Sequence, residues 1–183
     1  VFVFLPAVSC RVIFLRWQRF GGGEFLGGTT GELTWTLTED GVLTITGEGP
    51  MPDYRDGGTS ETPPWYPHVN RISSLTIGEG VTRIGDYAFM LCSFVTEVVI
   101  PESVTSMGDW AFYGYLDMAV VTCLAVIPPE LGKDNFGFLL KILYVPAGSV
   151  EVYRKNAVWR EAFETIAAHP DIPACGRAVP RTK

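Results

Sequence analysis

A chain of 183 residues, 47% hydrophobic and 19% charged, has room for one folded domain with a core and is not the composition of a disordered polymer. The net charge of −6 conceals basic ends, because residues 31–170 hold 18 acids against 8 bases. So acidic a body argues against nucleic acid, whose phosphates demand a Lys/Arg footprint, and against polybasic attachment to anionic lipid.

The first stretch, Val1-Phe-Val-Phe-Leu-Pro-Ala-Val-Ser9, is apolar, with small residues at Ala7 and Ser9 just before Cys10. It is shorter than the roughly 20 apolar residues a membrane span needs. Its form is that of the end of an export signal or a poor lipid-attachment site, yet Arg11, Arg16 and Arg19 follow it. Residues 1–30 are expected to be a degenerate export-signal remnant or a flexible extension, with Gly21–Gly23 and Gly27-Gly28 as a joint.

From Gly31 the pattern is regular. Leu33, Trp35 and Leu37 alternate with threonines, as do Leu43 and Ile45, and Asp40-Gly41 lies between the two runs. Alternation of period 2 around Asp-Gly predicts a β-hairpin, since that turn needs positive φ. Residues 31–47 are expected to cap the next segment with their apolar face. The Gly- and Pro-rich residues 48–71 predict a loop, in which Pro63-Pro64-Trp65-Tyr66-Pro67 would pin aromatic side chains over the end of the core.

Residues 72–146 repeat. Ile72-x-x-Leu75-x-Ile77 returns 23 residues later as Val95-x-x-Val98-x-Ile100. Val81-Thr-Arg-Ile84-Gly85-Asp86-Tyr87-Ala88-Phe89 returns as Val104-Thr-Ser-Met107-Gly108-Asp109-Trp110-Ala111-Phe112, again 23 on. That period lies within the leucine-rich repeat range of roughly 20–29. Each unit is expected to give one short strand with Leu75 and Ile77 inward, then a turn that drives Phe89 or Phe112 into the interior. A degenerate third unit runs through Met118, Val121 and Cys123, and its return half, Leu131 to Phe136, matches Met107 to Phe112 at an offset of 24. Pro128-Pro129 would absorb the extra residue. Leu140-x-x-Leu143-x-Val145 supplies a fourth strand.

Residues 147–168 change period. Val150, Tyr153, Ala157, Trp159, Phe163 and Ile166 follow helical spacing, with Ser149 placed as an N-cap, which predicts a helical cap of one bent or two short helices. Residues 169–183, with three prolines, are expected to be disordered. The fold class expected is thus a leucine-rich repeat solenoid of short parallel strands, with a hairpin cap in front and a helical cap behind.

No constellation for catalysis emerges, and no cofactor is expected. Gly47-Glu-Gly49 and Gly78-Glu-Gly80 lack the third glycine of a dinucleotide loop and read as turn glycines. His68 and His169 have no scaffolded nucleophile beside them. Asp53, Asp56 and Glu61 miss the spacing of a calcium loop, and Glu97 and Glu102 read as surface charges rather than a glycosidase dyad. The four cysteines, Cys10, Cys92, Cys123 and Cys175, form no metal or redox motif. Cys92 and Cys123 are expected to be free packing thiols, and a disulfide between them is the minority alternative.

What remains is the outward side of the strands. The register predicts one row of Ser74, Glu97, Val120 and Ile142 and a second of Thr76, Val99, Thr122 and Tyr144, turning apolar toward the C-terminal end. Thr76, Glu97, Val99, Val120, Thr122, Ile142 and Tyr144 are the candidate binding face, since solenoids bind through repeated faces and exposed apolar patches mark contacts.

The Ile-Gly-x-x-Ala-Phe units resemble the BspA-type leucine-rich repeat family of bacterial surface proteins. So do Leu33–Leu37 through Leu43–Gly47, the Pro-Pro-Trp before the repeats, and the closing Tyr144-Val-Pro-Ala-Gly-Ser-Val-Glu-Val-Tyr153 with Trp159. The match covers roughly residues 31–168. The resemblance implies an exported, cell-surface, non-enzymatic module that binds a protein or glycan on a host cell, matrix or neighbouring bacterium. A structural spacer without a ligand of its own is the alternative.

Overall fold

The computed structural model describes residues 26–55, 61–115, 118–136 and 140–171. The expectations for residues 1–25, including Cys10, for Asp56, and for residues 172–183, including Cys175, lie outside the described residues.

Three strands open the fold: β1 (Leu26–Thr30), β2 (Leu33–Leu37) and β3 (Val42–Thr46), paired antiparallel in that order. The hairpin read around Asp40-Gly41 is β2–β3, and Gly41 holds φ at +82°. β1 corrects the expectation of a flexible extension up to residue 30. Gly27 and Gly28 are strand residues, and a Cβ on Gly27 would stand 3.0 Å from Trp35 O, so the glycine admits a tight pairing.

Beyond the hairpin come β4 (Gly49–Pro50), a 3-10 helix (Tyr66–Arg71), β5 (Ser74–Ile77), β6 (Val81–Ile84), β7 (Glu97–Ile100), β8 (Ser106–Met107), β9 (Val120–Cys123), β10 (Glu130–Leu131) and β11 (Leu140–Val145). The chain then forms α1 (Val150–Lys155), α2 (Ala157–Ala162) and β12 (Phe163–Ala168). The larger sheet runs β1-β2-β3-β5-β7-β9-β11-β12, parallel from β3 onward. A second ladder, β4-β6-β8-β10, is also parallel and was not foreseen. Three of its four strands, β4, β8 and β10, are only two residues long, too short for alternation to show in sequence.

The period is realised as strand register. Val98 stands opposite Val121, Ile100 opposite Cys123, and Leu143 opposite Val121. Leu131 pairs with Met107, which fixes the 24-residue offset of the third return half. Because Cys123 still keeps the 23-residue register with Ile100, the extra residue falls between these two pairings, where Pro128-Pro129 lies. Phe89, Phe112 and Phe136 stack at centroid distances of 5.4 and 5.7 Å. Trp65 continues the column 5.7 Å from Phe89, fully buried, with its indole N–H donated to Ala88 O, as the Pro-Pro-Trp reading anticipated. At the other end Phe163 meets Phe136 at 5.2 Å and Trp159 at 5.9 Å.

The C-terminal reading is corrected in part. Two short helices form, but helix ends at Ala162, and Phe163–Ala168 is the eighth strand of the larger sheet. Phe163 and Ile166 are three apart and both buried, and the same spacing recurs at their strand partners Leu140 and Leu143. Ser149 sits at the start of α1, yet its hydroxyl makes no cap bond; the side chain that caps is Asn156, which accepts from the Val158 and Trp159 amides at the start of α2. His169 also departs from the expected tail, since its N–H extends the ladder to Val145 O at 2.9 Å.

Candidate binding face

Each repeat strand alternates, and the alternation decides which side chains can meet a partner. Leu75, Ile77, Val98, Ile100, Val121, Cys123, Leu143 and Val145 are buried. The residues between them face outward, and backbone pairing aligns them as the register predicted. Glu97, Val120 and Ile142 form one row; Thr76, Val99, Thr122 and Tyr144 form the next. The structure therefore brings all seven candidate residues onto one side of one sheet.

The rows extend further than the repeat alone indicated. Val42 pairs with Ser74 and Thr44 with Thr76, while Thr36 stands opposite Thr44. At the other end Thr165 joins Ile142 and Ala167 joins Tyr144. The parity of Thr36 and Thr44 was readable from their own alternation; what sequence did not carry was the parallel docking of β3 on β5. The side thus has a hydroxyl half at Thr34, Thr36, Thr44, Thr46, Ser74 and Thr76 and an apolar half at Val99, Val120, Ile142 and Tyr144.

Within the apolar half exposure is uneven. Val99 is 48% exposed, whereas Thr122, between Val99 and Tyr144 in the ladder, is only 8% exposed. Thr122 is floor rather than contact. The Tyr144 ring meets His169 edge-on at 5.5 Å, and His169 Nδ1 accepts the Asp171 amide at 3.1 Å. Glu97 is exposed and is the single charge among the seven.

The other candidate residues have structural roles. Asp53 is an exposed acid with fixed partners: its Oδ1 accepts the Asp86 amide at 3.0 Å and pairs with Arg83. Partial burial works to raise its carboxyl, but the Asp86 amide and Arg83 outweigh that and hold it below its ordinary value. Glu61 pairs with Arg55 at 2.7 Å. His68 lies half-buried in the 3-10 helix, where burial and nearby Arg71 push its pKa down. Cys92 and Cys123 are free and buried, so the disulfide alternative fails. Burial pushes the Cys92 thiol up to about 12, against a lowering contact from Tyr115, and Cys123 up to about 11. Among the described residues no group of three or more His, Cys, Asp or Glu is placed to hold a metal, and no helix is long and apolar enough to cross a membrane.

Residues 66–127 match the family described as BspA type leucine rich repeat region (6 copies). The chain is also similar to a leucine-rich repeat protein from Eubacterium ventriosum ATCC 27560 of known crystal structure. The identity is 26%, the TM-score 0.48, and the match covers 84% of this chain and 42% of that one, so this chain spans less than half its length. No curated protein matches.

Proposed function

We propose that the protein is a non-enzymatic binding module of an exported, surface-displayed bacterial protein, and that it binds a protein partner through the outward side of its larger sheet. The observation that carries this reading is the ladder placing Val99, Val120, Ile142 and Tyr144 on one side of three neighbouring strands, with Val99 left open to solvent. Burying such a patch releases roughly 25 cal/mol for each Å² of apolar area removed from water, and an aromatic beside aliphatic neighbours makes a good anchor. The family match supports a protein-interaction module, and BspA-type repeats elsewhere are characteristic of bacterial surfaces. The hairpin β2–β3 and the pair α1–α2 act as caps on a short solenoid, closing the Trp65-to-Phe136 column at its two ends.

The test is an alanine scan of Thr76, Glu97, Val99, Val120, Ile142 and Tyr144, read against a panel of purified matrix and cell-surface proteins and glycans. Binding to a protein that weakens tenfold or more at Val99 or Tyr144, with unchanged melting temperature, supports the reading. Binding that ignores the whole scan contradicts it, binding to glycan alone replaces the partner class, and no binding to any member favours the spacer.

A further inference from the structure

Strand β12 ends the order of the larger sheet, so one of its edges has no strand partner among the described residues. Backbone polar groups alternate sides along a strand, and the His169 N–H reaches Val145 O of β11 at 2.9 Å. Residues 165, 167 and 169 therefore address β11, while the N–H and C=O groups of Glu164, Ile166 and Ala168 point away from it. A free edge is a template for another strand, and proteins usually blunt one with proline, lysine, a bulge or a covering segment. Phe163-Glu-Thr-Ile-Ala-Ala168 contains no proline or basic residue, and it keeps one unbroken register with β11 from Leu140 to Val145.

Among the described residues, the side chain of Arg154 reaches this edge with a hydrogen bond. From α1, Arg154 Nη2 donates to Ile166 O at 2.9 Å, at the middle of the outward row, and Arg154 Nη1 is held by Glu151 Oε1 at 3.0 Å. The bond occupies the central carbonyl that an added strand would need. Its charge makes it stronger than an ordinary amide bond. The edge is also self-complementary. In antiparallel pairing about Ile166, Glu164 of each copy stands opposite Ala168 of the other, so the two carboxylates are never opposed.

We propose that the Arg154–Ile166 contact is an edge lock. It holds β12 back from pairing with β12 of a second copy of this chain, and its release opens a homotypic strand-addition site. The inference is independent of the binding face, which lies on the side of the sheet and not on its edge.

The experiment is sedimentation of the full chain over a concentration series, with circular dichroism to verify folding. Arg154→Met keeps the side-chain stem and removes the donors; Arg154→Ala removes both, and whichever variant folds decides the question. The expected result is a monomeric wild type and a variant that self-associates at least tenfold more tightly. Adding Ala168→Pro, which deletes one outward N–H and no bond to β11, should restore the monomer. Arg160→Ala, whose Glu161 contact is 3.9 Å and away from Ile166, should behave as wild type. A folded Arg154 variant as monomeric as the wild type, a wild type that associates equally well, or association that survives Ala168→Pro would overturn the proposal.

Discussion

Asp86 Oδ1 accepts the backbone N–H of Asp109 at 3.0 Å, so one unit of the repeat is tied to the next by a carboxylate. The tie recurs from Asp53 to the Asp86 amide and from Asp109 to the Lys133 amide at 2.7 Å. Each donor follows a glycine pressed against the preceding unit. A Cβ on Gly108 would stand 2.0 Å from Asp86 Oδ1, and one on Gly85 1.7 Å from Pro52 O. The Gly-Asp pair of the motif is thus a spacing device and a clamp together. Gly108→Ala should cost roughly 3 kcal/mol, since backbone must move to admit the methyl. Asp86→Ala, which strips the Asp109 amide of its acceptor, should cost about 1–3 kcal/mol. Urea midpoints at constant m-value measure both.

Tyr87 and Trp110 occupy the same place in successive units and both hold left-handed backbone, with φ of 56° and 58°. That conformation costs an L-residue roughly 1–2 kcal/mol. Their rings stack within 2° of parallel at 6.3 Å, which offsets part of the strain. Trp110→Val, β-branched and unable to stack, should therefore destabilise more than Trp110→Asn, by at least about 1 kcal/mol. Thermal melts of the two variants side by side decide the order.

The Asp53 carboxyl is held below its ordinary value in the folded chain. A lowered carboxylate contributes stability above the unfolded value near pH 4 and loses it as pH falls through the folded value. More than half of the side chain is exposed, so solvent screening keeps the contribution below about 1 kcal/mol. Asp53→Asn should then destabilise the protein at pH 6 and converge with the wild type only as pH falls through the lowered folded value, as denaturant titrations at each pH would reveal.

Buried thiols pushed up to about 12 and about 11 have almost no thiolate at neutral pH. In a Cys10→Ser/Cys175→Ser background, Cys92 and Cys123 should resist maleimide for hours in buffer and both react within minutes in denaturant. Mass spectrometry counts the adducts, and rapid labelling in buffer would contradict the burial.

The larger sheet was legible because its inward residues recur at a near-constant period: Leu75, Val98 and Val121 lie 23 apart and Leu143 follows 22 on, each announcing a rung. The phenylalanine column was legible for the same reason, since Phe89 and Phe112 fall at identical places in matched units. The second ladder was not, because Ser106–Met107 and Glu130–Leu131 are too short to carry a pattern. β12 was misread because Phe163 and Ile166 follow a helical run without a stop signal; neither glycine nor proline stands between Ala162 and Thr165. At the candidate face the alignment of Val99, Thr122 and Tyr144 followed from register alone. The near-complete burial of Thr122 did not, for it depends on the size of its neighbours across the ladder.

The central claim, that binding resides on the outward side of β7, β9 and β11, is tested most directly by the affinity of a Val99→Asp/Tyr144→Ala variant for whichever purified protein the wild type binds. Thr82→Asp, on the exposed side of β6 in the other sheet, is the control. The expected result is at least a hundredfold loss for the double variant, an unchanged melting temperature, and wild-type affinity for Thr82→Asp. Undiminished affinity in a folded double variant would contradict it.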